Sequence, residues 1–306
     1  MNDVIVICTR NRRDDLAVCL GSILNLETKP AAVLVVDSSD SDDSSALVQN
    51  YMQQSSDITY FLERTAPGLT LQRNHGLRVI DGRFDVVHFL DDDVELESGY
   101  IGALQNMFEG DPDLVGAGGM VLGSVRQPAS TWSRLCLTDS ALPGSVNRAG
   151  FNVGCYDNPN TLEVTWLPGC SMSFRLKSIS GLAFDEGRTG YALGEDVDFG
   201  LKASSRGRLL HVPSAVLQHH QSPTNRHKRP ILVAMGVRNR WQLAVDELGN
   251  VNKAAVVYST VMQSFTFAMR SIKQREPLLW KCSVSGATAL WRVAMKGFGK
   301  GRHEKG

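Results

Sequence analysis

The sequence predicts an α/β fold, with a mostly parallel central sheet, helices on both faces, and a basic helical extension at its C-terminal end. Apolar runs of strand length alternate with helix-period segments through the first 90 residues, and polar residues collect where those runs end. Basic residues concentrate in the last quarter. Residues 4–8 read as the first strand, and Leu16, Leu20, Ile23 and Leu24 fall at i, i+4, i+7 and i+8, one face of a helix begun near Asp14. Residues 32–36 form a second strand, 43–54 a helix and 58–62 a third strand. A helix over 69–80 follows the Pro67-Gly68 turn, and 85–90 is the fourth strand. Beyond it the pattern is less regular. Residues 166–175 pair a sharp bend with an alternating apolar run, acids open a helix at Glu195, and residues 216–220 end a strand-like run in two histidines.

Length and charge divide the chain. At about 150 residues per domain, 306 residues suggest an α/β domain over 1–229 and a helical basic extension over 230–306. Apolar content of 42% with 21% charged residues suits a folded core and not a disordered chain. Residues 1–221 carry 17 Lys+Arg against 28 Asp+Glu, a net of −11, while residues 222–306 carry 15 against 4, a net of +11. Six cysteines without a CxxC pair read as thiols of a reducing compartment, and the N-terminal run has no basic, signal-like flank, so the cytoplasm is expected.

The chemistry gathers at strand ends, where sheets of this kind bind ligands. Thr9-Arg10-Asn11-Arg12 follows the first strand, Asp37-Ser38-Ser39-Asp40 the second, and Asp91-Asp92-Asp93 the fourth. Three adjacent carboxylates repel one another unless basic groups or a hard divalent cation such as Mn2+ or Mg2+ offset them. An acidic turn with Ser98 capping the next helix is the plainer alternative. Arg73, in the helix before the aspartates, is placed to reach a phosphate or carboxylate, or else to sit on a solvated face. No GxGxxG follows the first strand and no GxxxxGK[ST] occurs, so phosphate must be held by metal and side chains. At the start of the helix opened by acids, Glu195 and Asp196 are ordinary dipole-stabilised acids or, if functional, a base kept ionised. His219 and His220 are structural or supply a metal ligand.

Taken in order, Thr9-Arg10-Asn11-Arg12, Val35-Val36-Asp37-Ser38-Ser39, Arg73-Asn74-His75-Gly76, Leu90-Asp91-Asp92-Asp93, Trp166-Leu167-Pro168-Gly169, Gly194-Glu195-Asp196 and His219-His220 resemble family 2 glycosyltransferases of the GT-A fold, with a rhamnosyltransferase-like cast. The resemblance covers residues 4 to about 240 and implies a Rossmann-like catalytic domain. It implies that Thr9, Arg10, Asp37 and Arg73 hold a nucleotide and that Asp91 and Asp92 face its ribose or diphosphate. Asp93 would take the metal with His220 or His219, in a DXD arrangement. Asp196 would be the general base, with Glu195 orienting it or the acceptor, and Trp166, Gly169 and Cys170 would frame the sugars. The implied substrates are a UDP- or dTDP-linked sugar donor and a glycan or lipid-linked acceptor of cell-surface polysaccharide or glycolipid synthesis. Cys8 stands where the family often has proline.

Rival functions fit less well. A phosphatase built on Asp91-x-Asp93 needs a small hydroxyl residue or valine two places on, where this chain has Glu95. A nucleotidyltransferase lacks its glycine-rich loop, and a non-catalytic sugar- or membrane-binding relative has no use for Asp93, Asp196 and His220 together. Nucleic acid is not an expected partner, because the acidic first three quarters repel phosphate. In the extension, residues 254–269 form a charge-free run of 16, short of the ~20 that span a bilayer. Trp241, Phe265, Phe267, Trp280, Trp291 and Phe298, with nine Lys/Arg from Arg270 onward, suit either an interfacial helix on anionic lipid or helices packed with a solvated basic face.

Overall fold

The structure is a computed structural model that describes residues 1–300 apart from 55, 125, 126, 189–191 and 222–227; the side chains of 296–300, Phe298 among them, lie outside the described residues. The first half alternates as its hydrophobic periods require: β1 (Asp3–Thr9), α1 (Arg13–Leu24), β2 (Ala32–Asp37), α2 (Asp43–Gln54), β3 (Thr59–Arg64), α3 (Leu69–Ile80) and β4 (Val86–Asp91). The chain continues through β5 (Val94–Leu96), α4 (Tyr100–Gly110), β6 (Gly116–Leu122), α5 (Thr131–Leu135), β7 (Leu162–Val164), β8 (Met172–Arg175), α6 (Glu195–Ser204) and β9 (Leu209–His219). Three helices close it, α7 (Arg229–Val245), α8 (Lys253–Gln274) and α9 (Pro277–Lys300).

The strands form one sheet in the order β3-β2-β1-β4-β8-β6-β9-β5, with β7 also paired to β9. Strands β1 to β4 are mutually parallel, and β8 runs antiparallel between β4 and β6. After β1 the chain steps outward to β2 and β3, then crosses back to lay β4 on the other side of β1. That reversal leaves a crevice at the carboxyl ends of β1 and β4. The register sets Thr9 beside Asp37 and Cys8 beside Asp91, so the polar residues of all three strand ends lie level.

Side chains alternate across the sheet. Ile5 and Ile7 enter one core with Leu16, Leu20 and Ile23 of α1 and Leu104 and Phe108 of α4; Val4 and Val6 enter another with Ile80 of α3 and Phe199 of α6. Helices therefore cover both faces, the α/β arrangement expected. Ser98 does not cap α4: the helix is preceded by Gly99, without a side-chain cap, and the Ser98 hydroxyl donates to Glu27 instead. All six cysteines are free thiols.

Contacts divide the chain into two compact units, residues 1–127 with 154–224, and residues 128–153 with 225–306. The second unit thus contains a stretch that a single cut at 229/230 leaves with the sheet. Hydrogen bonds inside the unit explain this: Trp132 Nε1 donates to Thr266 Oγ1 (3.1 Å), Tyr258 donates to the Leu135 carbonyl (3.1 Å), and the Asn252 amide donates to the Arg148 carbonyl (3.0 Å). Among the described residues no helix is long and apolar enough to cross a membrane.

Candidate active site

Asp91 closes β4, and Asp92 and Asp93 form the turn that leads into β5. Asp92 turns inward and is buried, accepting hydrogen bonds from Thr9 Oγ1 (2.8 Å) and Arg12 Nη1 (2.9 Å). Burial pushes its carboxyl up to about 7, against the opposing pull of Arg12 and Thr9. Asp91 and Asp93 instead join His219: each of the three offers a ligand atom, and those atoms lie within 4.8 Å of one another. Two carboxylates and an imidazole form a donor set suited to a divalent cation.

Pairing of β5 with β9 builds this cluster, because Val94 opposite His219 carries the end of β9 back to Asp93. His219 Nε2 lies 3.1 Å from Asp93 Oδ1. Its neighbour His220 donates its amide to the Asp93 carbonyl (3.0 Å), but its exposed ring turns to Glu95 (3.1 Å). Of the two histidines, His219 is therefore the one in the cluster. Burial disfavours its charge, yet the Asp93 and Cys170 hydrogen bonds outweigh that and raise its pKa to about 11. A cation binding Nε2 must displace that proton.

Arg73 connects this cluster to the acids of α6. Buried in α3, it donates to Glu195 Oε1 (2.7 Å), Asp91 Oδ1 (3.1 Å) and the Gly169 carbonyl (2.9 Å). Asp196, half-buried beside Glu195, accepts from the Gly169 amide (3.2 Å) and the Val197 amide (2.8 Å). Burial pushes both carboxyls upward, with the neighbouring acid adding to the shift of Glu195. Gly169 approaches closely, since a Cβ there would lie 3.0 Å from Glu195 Oε1.

The remaining residues divide. Asp37, fully buried, accepts from the Ser39 amide through Oδ1 (2.8 Å), while its Oδ2 is buried without a partner among the described residues. Arg10 is exposed at the crevice edge, 3.7 Å from Asp40. Trp166 does not face the crevice: it is buried, edge-on to Tyr156 and against the backbone of α6, where a Cβ on Gly200 would lie 2.7 Å from the Trp166 Cα. Cys170 is buried and hydrogen-bonded to His219, behind the cluster. Arg73 is likewise engaged with acids and a carbonyl and does not point at an open nucleotide site. Arg12, which pairs with Asp92 and Asp93, is the crevice residue absent from the expected set. The left-handed Asn11 (φ 55°), fixed by reciprocal hydrogen bonds with Asp40, reverses the chain and returns Arg12 to Asp92 and Asp93. Asparagine between two arginines at a strand end was the available signal, because asparagine tolerates that conformation.

An α/β sheet with its carboxylate and imidazole groups at the topological switch has the fold of GT-A glycosyltransferases. The Pyrobaculum calidifontis mannosyltransferase PcManGT, solved in complex with GDP-Man and Mn2+, is similar over 95% of this chain and 87% of its own, with a TM-score of 0.59 at 14% identity. GalNAc-T7, solved with UDP, GalNAc and Mn2+, gives a TM-score of 0.59 at 14% identity over 94% of this chain and 55% of its own. At the level of sequence, residues 4–138 match the model of the family described as Glycosyl transferase family 2, and the chain carries a family 2 glycosyltransferase domain there. A Campylobacter jejuni GalNAc(5)-diNAcBac-PP-undecaprenol beta-1,3-glucosyltransferase is 37% identical over 101 residues, which is 33% of this chain. The aligned stretch spans about a third (32%) of that relative.

Proposed function

We propose that the protein transfers a sugar from a nucleoside diphosphate to a hydroxyl of a lipid-linked glycan, with inversion at the anomeric carbon, in the assembly of a surface polysaccharide or glycolipid. The observation that carries this reading is the single line of contacts from the Asp91/Asp93/His219 cluster through Arg73 to Glu195 and Asp196. Asp91, Asp93 and His219 would hold Mn2+ or Mg2+, which supplies Lewis acidity toward the charge gathered on a departing diphosphate. The mannosyltransferase and GalNAc-T7 structures, each solved with Mn2+, support that choice of cation.

The chain's own residues supply the rest. Asp37, with a buried carboxylate oxygen left over, is the acceptor for a donor group on the nucleotide, at the edge where Thr9 and Arg10 also lie. Arg73 donates to both Asp91 and Glu195, which places one positive charge between the two acids. Asp196 is the better base. Glu195 is committed to a cation, whereas Asp196 is half-buried and only amide-bonded, and its raised pKa brings it closer to a working base. One base, with no opposed nucleophile evident among the described residues, gives a single displacement, hence inversion. A lipid-linked acceptor is supported by the Campylobacter relative, whose name carries a PP-undecaprenol acceptor. The donor is proposed to be UDP- or dTDP-linked.

Asp196→Asn tests the assignment. Turnover should fall by ~10²–10⁴-fold, the usual worth of a general base, while calorimetric binding of the donor nucleotide stays unchanged. Turnover equal to wild type in the folded variant would remove Asp196 from the base role.

A further inference from the structure

The C-terminal hairpin of α8 and α9 carries apolar surface that its own packing does not use. Two residues separate the helices, a connection that makes them antiparallel neighbours. Their contact is close: the Ser283 hydroxyl donates to the Ser264 carbonyl (2.8 Å), and a Cβ on Gly286 would lie 3.1 Å from Ser264 Oγ. Among the described side chains of α9 the buried positions are Leu279, Cys282, Gly286 and Ala289. At 100° per residue, Trp280, Val284, Trp291 and Met295 fall together on the opposite side, and all four are about half exposed or more, Trp291 at 64%. A second stripe on α8, formed by Val261, Phe265, Met269 and Ile272, is exposed in the same degree.

Cations border these stripes. Lys281 follows Trp280 and Arg292 follows Trp291; the pairs are 11 residues apart, three helical turns, and so share a face ~16 Å apart along α9. From 253 to 300 the chain carries eight Lys/Arg and a single acid, Glu276. We infer that this face docks on the surface of an anionic lipid bilayer, with the tryptophans at headgroup level and Lys281 and Arg292 on lipid phosphates. The helices lie on the surface, since no described helix is long and apolar enough to cross. A second copy of the chain fits this face worse, because a two-fold contact sets one cation-bordered face against an identical one. The inference rests on this surface alone and stands apart from the transferase reading.

Flotation of the full chain with phosphatidylcholine vesicles, with and without phosphatidylglycerol, tests it in the absence of donor and acceptor. Binding to the phosphatidylglycerol vesicles is expected, weakening as salt rises. The exposed double variant K281Q/R292Q should bind about 30-fold more weakly, at roughly fivefold per cation. The W280S/W291S variant should lose roughly tenfold or more on the same vesicles. Circular dichroism and a cooperative thermal unfolding transition establish that each variant is folded; if the tryptophan variant misfolds, the charge variant decides. Absence of binding to either vesicle at low salt, or equal binding by a folded variant, would overturn the inference. So would a dimer in light scattering that W280S/W291S abolishes without altering vesicle binding.

Discussion

At the level of single residues, the same side-chain types serve opposite ends, and burial separates them. Asp3, His88 and Ser173 line up as a buried relay, with Ser173 Oγ 2.8 Å from His88 Nδ1 and His88 Nε2 3.0 Å from Asp3 Oδ2. All three are fully buried in the sheet, where no substrate can reach, so this serine-histidine-aspartate order braces β1, β4 and β8 and hydrolyses nothing. Burial works against the Asp3 carboxylate, but His88, Gln105 and the Ala31 amide hold its pKa below the usual value. An acid held low favours the folded state in its ionised form; the gain is complete above the ordinary carboxyl range and is lost as pH falls through the folded value. Asp3→Asn should therefore cost about 2 kcal/mol at neutral pH, and urea unfolding should show the gap from wild type narrowing below about pH 4. In the crevice, the turn after β4 and its pairing with the end of β9 decide what the sequence left open. Asp92 bonds Arg12, Asp91 and Asp93 stay together, and His219, not His220, joins them. Residue types at strand ends were legible; which of two neighbours faces the site depended on the β5–β9 register, which no local pattern encodes.

Among the elements, those with a clean period were legible and those built on glycine were not. The helices at 43–54 and 69–80 follow their apolar stripes residue for residue, and the first four strands differ from their apolar runs only at the ends. Strand β6, Gly116-Ala117-Gly118-Gly119-Met120-Val121-Leu122, gives no such signal, because glycine is poor in strands and has no side chain to alternate. Close packing explains its composition. A Cβ on Gly118 would lie 2.6 Å from the Ser171 carbonyl and one on Gly119 2.3 Å from the Ala215 carbonyl, both backbone atoms. Gly119→Val should then lower stability by about 3 kcal/mol, the upper range for overpacking. Gly99→Ala, with nothing within 4 Å of its Cβ, should stay within about 0.5 kcal/mol in the same denaturation experiment.

For the molecule as a whole, the charge asymmetry visible in the sequence acquires a place. The acidic residues supply the crevice at the carboxyl ends of β1, β2 and β4, and the basic ones the unit that holds α7, α8 and α9. The order of strands and helices from 4 to 90 indicated the sheet, but the grouping of 128–153 with the C-terminal helices depends on contacts more than 100 residues apart, such as Trp132 with Thr266. The central claim is that the strand-end carboxylates and His219 form a cation-dependent nucleotide site. A thermal-shift measurement of the full chain with UDP, dTDP or GDP, each with Mn2+ or with EDTA, tests it most directly, because a ligand bound only by the folded state raises stability by RT ln(1 + [L]/Kd). The account predicts a rise with UDP or dTDP that needs Mn2+ and disappears in EDTA. No shift with any nucleotide in the folded protein, or a shift indifferent to EDTA, would contradict it.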